Sequence, residues 1–438
     1  SGVGYCVMKV SFKIVITQAC HVCLLIVVPI AFLSISTNSL SAGMSLQQTI
    51  ETKKVLSIAV SPNGEMVAYR LMIPHRVGVD DDGKSNIALY LINKQAQNIA
   101  FVSGLIRVGR VIWSRDSQQI YFLAQKNNDP YVSIYKISAS GGEAKKIIAI
   151  NEDIYDFTLS HDAQAISYLA KKAKSRQQDS YHKKGFNAQI YEESLVQNNI
   201  YLAILNRGKL PHISLENPFH LVNLKYHPSS RLLLARTVKT ALIDDLYIAS
   251  SYQILQQSGE SISQIKLKGK LAEAHWSPDG KRVAIIAGAD KKDPVAGRLF
   301  SIRLKNGRIH QLVKKYPGDI KQVHWISKNK LLAVAAKGTQ SELIEIDVRK
   351  SNWVTRVSQE GLHLIAVDSD EKGKNIHLVA SRSSHPAEIY RLHKKQLTRI
   401  THSNPWLDSI ELPQQQSIQF KSKRWFRIAR STHLSVKL

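Results

Sequence analysis

Trp276-Ser277-Pro278-Asp279-Gly280-Lys281-Arg282-Val283-Ala284-Ile285 writes a strand end, a tight turn and a strand start in ten residues. Pro fixes φ early in the turn, Asp accepts local backbone N–H groups, and Gly takes the positive φ. The alternating apolar residues that follow belong to a strand packed on both faces. Weaker copies recur as Ser61-Pro62-Asn63-Gly64 before Met66-Val67-Ala68-Tyr69, and as Trp113-Ser114-Arg115-Asp116-Ser117 before Ile120-Tyr121-Phe122. Repeats of about 40–50 residues built this way predict radially arranged β-sheets.

Aligned on the turn, the chain divides into seven units. The third to fifth turns are Ser160-His161-Asp162-Ala163, His227-Pro228-Ser229-Ser230 after Tyr226, and Ser277-Pro278-Asp279-Gly280. The sixth, Trp325-Ile326-Ser327-Lys328-Asn329, is degenerate, and the seventh is Asp368-Ser369-Asp370-Glu371-Lys372-Gly373. Successive turns lie roughly 43 to 67 residues apart. The aromatic before the turn (Trp113, Tyr226, Trp276, Trp325) is expected to wedge between neighbouring sheets.

A second strand with an aromatic follows in most units: Ile87–Leu91, Ile134–Ile137, Ile200–Leu202, Asp245–Ile248, Leu299–Ile302 and Glu388–Leu392. Gly141-Gly142 and Asn306-Gly307 are hairpin signals after two of these. Two hairpins per unit predict an all-β, seven-bladed β-propeller of four-stranded antiparallel blades, within a domain spanning 43–420. Lys171–Ile190 interrupts the third unit as a polar, basic insertion and is expected to form a loop or arm.

Residues 1–42 read as upstream residues and a signal peptide, with Met8 the expected start. Met8–Lys13 supplies a basic segment, Leu24–Leu33 an apolar core, and Ser39-Leu40-Ser41-Ala42 a cleavage site. The expected location is periplasmic or secreted; retention through an uncleaved signal is the alternative. A stable membrane span is not expected, since one needs about 20 apolar residues. Cys20-His21-Val22-Cys23 has metal or redox spacing but no second ligand pair, and with Cys6 it holds all the cysteines.

The formal net charge is +26. Its basic residues are mostly dispersed, with denser clusters at Lys171–Lys184 and from Lys421 onward, and no nucleic-acid motif accompanies them. A solvated basic surface, rather than specific nucleic-acid binding, is expected.

The turn motif with an aromatic two strands later resembles the propeller of the prolyl oligopeptidase family of serine peptidases, acylaminoacyl-peptidase-like and dipeptidyl-peptidase-like members being nearest in style. TolB-like propellers share the turns. The last unit adds Ser384–Leu392 and Leu397–Asn404, which in that family closes the propeller, and Ile418–Lys423, which leads into an α/β-hydrolase domain. The resemblance implies that Asp-Gly and an apolar strand should come next. Here Arg424-Trp425-Phe426-Arg427-Ile428-Ala429-Arg430 follows, in a basic tail over 421–438. Codons that encode those residues, read one base later, encode Asp-Gly-Phe-Ala-Leu-Gln-Gly. A frameshift after Lys423 is therefore expected, leaving a chain without its catalytic half.

The residues agree with that expectation. No G-x-S-x-G elbow occurs, and Gly259-Glu260-Ser261-Ile262-Ser263 lacks the final glycine. The sixteen histidines show no metal spacing and are expected mostly at the surface. Asp80-Asp81-Asp82-Gly83 is expected to be a solvated loop, so neither a metal nor a cofactor is predicted. In dipeptidyl-peptidase-like relatives a Glu pair from a propeller arm grips the substrate's N-terminal ammonium. The resemblance assigns that role to Glu192 and Glu193. A peptide substrate is expected only with the hydrolase domain; the alternative is a free-standing scaffold for a protein partner.

Overall fold

The computed structural model describes residues 43–434, apart from 127, 172–175, 187, 189–194, 206–212, 216–217 and 422–426. The strands follow one another as antiparallel meanders. The first two units share an eight-stranded sheet, joined only by a parallel bridge between Ile87 and Arg107. Five four-stranded sheets follow, then a two-stranded one in which Gln414–Lys421 pairs with Arg427–Leu434. That last hairpin straddles the boundary at residue 420 and lies outside the meanders.

The serine of each well-formed turn is its hub. Ser277 is fully buried; its hydroxyl donates to Asp279 at 2.7 Å and accepts from the Arg282 N–H at 3.0 Å. Ser61, Ser114 and Ser160 repeat this with Asn63, Asp116 and Asp162. The fourth turn residue adopts positive φ in each case: Gly64 (76°), Ser117 (61°), Ala163 (54°) and Gly280 (67°).

The core is not one mass but a series of layers between consecutive units. Ala284, Ile286 and Leu299 of the fifth unit meet Val323, Trp325 and Leu331 of the sixth. Val55 and Tyr69 of the first unit meet Val379 and Ile389 of the last, so the series closes on itself. Fully burying each such side chain stabilises the fold by roughly 1.5–3 kcal/mol. Closure involves no shared strand: Lys54–Val60 pairs only with Val67–Ile73 among the described residues.

Antiparallel order fixes which loops share a face. The serine turns and the turns between third and fourth strands lie at one end, the turn face. The chain entry at Lys53, the links between sheets and the exit after Arg399 lie at the other, the entry face.

Two local expectations are corrected. Asp245–Ile248 is not a strand but lies in a helix, Ile243–Ile248, with Asp244 and Asp245 in its first turn. Asp245 also accepts from the Thr240 hydroxyl at 2.6 Å, which ties the helix start to the preceding strand. The strand is Ser251–Leu255, and its aromatic is the buried Tyr252. Within the 171–190 insertion, Arg176–Lys183 forms a helix.

Candidate functional site: the polar axis

The first strands of successive units, from Lys54–Val60 to His363–Ser369, stand side by side round an axis. Each breaks register against its second strand near its start, between Val55 and Ser57, Leu221 and Asn223, Ile320 and Gln322, or Leu364 and Ala366, for example. A bulge of this kind re-aims the next side chain. Two rings of residues result. Four before the turn serine or its equivalent come Ser57, Arg110, Asp156, Asn223, Glu273, Gln322 and Ala366. Two before it come Ala59, Ile112, Thr158, Lys225, His275, His324 and Asp368.

These rings stitch neighbouring units together. Asp156 accepts from the Leu224 N–H at 2.9 Å, Glu273 from Val323 at 2.8 Å and Gln322 from Val367 at 2.7 Å. Thr158 and Asp368 do the same for Tyr226 (3.0 Å) and Val60 (2.8 Å). In return, the indoles of Trp113, Trp276 and Trp325 donate to the carbonyls of Ala59, Lys225 and His275 at 2.9–3.2 Å. The expected wedge aromatics are thus packed and hydrogen-bonded, each bond worth about 1 kcal/mol.

Charged and polar side chains along the axis contact one another. Arg110 bridges to Asp156. The Lys225 ammonium donates to the Ala274 carbonyl at 2.8 Å and stands 3.2 Å from the His275 ring. Glu273 meets His275 at 3.1 Å. Burial, opposed by Glu273, pulls the Lys225 amine down to about 8. Burial and the neighbouring Lys225 also lower His275. Burial raises Asp368, against the pull of His324.

His324 makes a contact order that invites a chemical reading. Its Nε2 lies 2.8 Å from the Ser369 hydroxyl and its Nδ1 3.1 Å from Asp368. However, the Ser369 hydroxyl donates to the Asp370 carbonyl at 3.1 Å, so it accepts from the imidazole instead of surrendering a proton to it. Ser369 is also only 7% exposed. A nucleophile needs the opposite proton direction and an open approach. The cluster is a latch within the axis.

Glu192 and Glu193 lie outside the described residues. In the Asp80–Gly83 loop, Asp80 pairs with Arg76 at 2.7 Å and Asp82 accepts from the Gly83 N–H at 2.8 Å. Ser261 begins a fourth strand, its hydroxyl bound to Gln253. Five histidines depart from the surface expectation: His220, His377 and His385 are buried, and His275 and His324 line the axis. Exposed large apolar residues gather on the entry face, including Val77, Val79, Leu105, Phe186, Ile243 and Tyr247. Among the described residues, none lies in the serine turns.

No family model matches this chain, and no curated protein matches it by sequence. Solved structures do match. Acylaminoacyl peptidase from Pyrococcus horikoshii superposes with a TM-score of 0.66 at 13% identity, over 87% of this chain and 58% of that one. The β-propeller domain of the Trilobed protease from Pyrococcus furiosus, described as having an open velcro topology, gives 0.56 at 13% identity, over 81% and 97%. The fold is a β-propeller. A puromycin-hydrolyzing peptidase from Mycobacterium tuberculosis gives 0.61 at 9% identity, over 89% and 60%. The structural neighbours are members of the prolyl oligopeptidase family, and this propeller spans little more than half the length of the whole peptidases.

Proposed function

We propose that this chain is the seven-bladed, substrate-gating propeller of a secreted or periplasmic serine exopeptidase of the prolyl oligopeptidase family, and that these 438 residues are inactive alone. The observation that carries the reading is the entry face. Both chain ends leave the ring there, and Val77, Val79, Leu105, Phe186, Ile243 and Tyr247 are exposed there, whereas the described serine turns carry no exposed large apolar residue. Large apolar patches on one face of a soluble protein mark a contact surface. A hydrolase domain continuing from Lys423 would meet that face.

On this reading the charged and polar side chains of the axis line the path by which peptides approach the catalytic domain. The exposed apolar residues of the entry face would equally suit a second reading, a free-standing propeller that scaffolds a protein partner. Two measurements separate these. Sequencing beyond codon 423 should reveal an out-of-frame continuation encoding G-x-S-x-G; its absence leaves the scaffold. Purified 438-residue protein should not hydrolyse aminoacyl or acyl-aminoacyl anilides. Turnover abolished by Ser369→Ala would overturn the inactive reading and make the His324 cluster catalytic.

A further inference from the structure

Arg70 occupies a position that recurs once more in the ring. It lies on the second strand of the first unit, directly opposite Ser57, as Arg236 lies opposite Asn223 in the fourth unit. Arg236 is well supplied: it donates to the Ser250 hydroxyl at 2.9 and 3.1 Å and to the Leu246 carbonyl at 2.9 Å, at the end of the 243–248 helix. Arg70 has no such cover. It donates to the Ser57 hydroxyl at 2.7 Å and makes one long contact, 3.5 Å, to the Val108 carbonyl. No carboxylate pairs with it among the described residues, and burial alone lowers its pKa. A guanidinium carries five N–H donors in a planar fork, so most of its capacity is unused.

That unused fork faces space. A cleft of about 300 Å³ separates the first strands of the first two blades, lined by Ser57, Ala59, Ala68, Arg70, Arg110 and Val111. Arg110 bonds Asp156 through one terminal nitrogen, which cancels one positive charge and leaves the rest of its fork free. The cleft therefore holds one uncompensated positive charge, two partly vacant guanidinium forks, a hydroxyl and apolar walls completed by Ile58 and Tyr69. Desolvated charge without a partner is costly, and a planar carboxylate satisfies such forks bidentately.

We propose that this cleft is a binding site for a single carboxylate group. Two sources present that chemistry: a small free organic acid, or the C-terminal carboxylate of a peptide lying on the axis. The second source deepens the gating proposal and rests on it, whereas the carboxylate site itself does not.

The test is calorimetric titration of the full chain with acetate, with trialanine, and with trialanine amide. Acetate and the free tripeptide should bind, and the amide should not. Arg70→Gln should weaken binding by about tenfold or more, as loss of a charge-assisted pair requires, and Lys145→Gln, an equal charge change on an exposed residue, should leave it unchanged. Arg70→Lys keeps the charge without the fork and should also weaken binding, which covers the case in which Arg70→Gln fails to fold. Tighter binding of trialanine than of acetate assigns the site to peptides; equal binding assigns it to small acids. No binding by either acid, equal binding of the amide, or full affinity in both Arg70 variants overturns the proposal. No hydrolase domain enters the measurement, so a gene lacking one would sink the gating reading and leave this site standing.

Discussion

The side-chain amide of Asn404 grips the backbone of Lys53 in both directions, accepting from its N–H at 2.9 Å and donating to its carbonyl at 2.7 Å. The two residues lie 351 positions apart and join the end of the last blade to the start of the first. Asn404 is itself held in place. The buried Glu388 accepts from the Ser403 N–H at 2.7 Å and from the Ser403 hydroxyl at 3.0 Å. With no strand shared across the seam, this clasp, the Asp368 bond to Val60 and the apolar layer around Tyr69 and Ile389 close the ring.

Asn404→Ala should therefore act on the seam before anything else. It removes two partly buried hydrogen bonds to the Lys53 backbone, a loss of about 1–2 kcal/mol. Denaturant unfolding should show the loss, and hydrogen exchange should show faster opening at Val55–Val60 than at Val283–Ala287. Uniform exchange across both strands would mean that the seam is not the weak point.

The turn glycines and their substitutes give opposite signs. Gly280 sits at φ 67°, and a Cβ there would lie 1.9 Å from His227 Nε2 of the preceding blade. Gly280→Ala combines a backbone penalty of roughly 1–2 kcal/mol with that clash. Ala163 holds the equivalent position at φ 54°. Ala163→Gly should relieve the same penalty and raise the melting temperature, or at least leave it unchanged. A fall in melting temperature for Ala163→Gly as large as that for Gly280→Ala would refute the argument.

The turns, the wedge aromatics and the four-strand period were legible because each depends on residues close in sequence. The buried serine hub needs only Ser, Asp or Asn and a strand start within six positions. Tyr247 misled because Asp245-Leu246-Tyr247-Ile248 has strand-like composition, whereas the acids at 244 and 245 favour a helix start and the strand aromatic is Tyr252. The axis was hidden for a different reason. A bulge in each first strand shifts the alternation by one, so the facing of Glu273 or Asp156 cannot be read by counting in twos. The partners of Arg70 come from two other strands, and those of Arg236 from the 243–248 helix and Ser250 beyond it, which no local pattern encodes.

Acid should weaken the fold through His377. This imidazole is 6% exposed, its Nδ1 has no partner, and burial lowers its pKa from 6.5 to about 4. Between those values the unfolded chain binds a proton that the folded chain refuses, so stability falls as pH drops from 6.5 towards 4. The shift corresponds to about 3 kcal/mol in order of magnitude. The turn aspartates Asp116, Asp162 and Asp279 are held low by their serines and titrate below this window. Urea midpoints for His377→Gln should change less than those of the parent between pH about 6.5 and about 4.5. Parallel curves would remove His377 from the account.

Alkali should act in the other direction at the axis. The Lys225 amine titrates near 8 in the fold, against 10.5 when exposed, chiefly because burial disfavours its charge. Below 8 both states are protonated and the burial penalty is constant. Above 8 the folded chain sheds the proton while the unfolded chain keeps it, so stability rises with pH. The rise ends near pH about 10, where phenols ionise in the unfolded chain but not in the buried Tyr69 and Tyr168. Lys225→Met removes the titrating group and should flatten the rise, while also losing the bond to the Ala274 carbonyl. Unfolding midpoints at pH about 7.5 and about 9.5 decide the matter. An unchanged slope in Lys225→Met would show that another group titrates in this window.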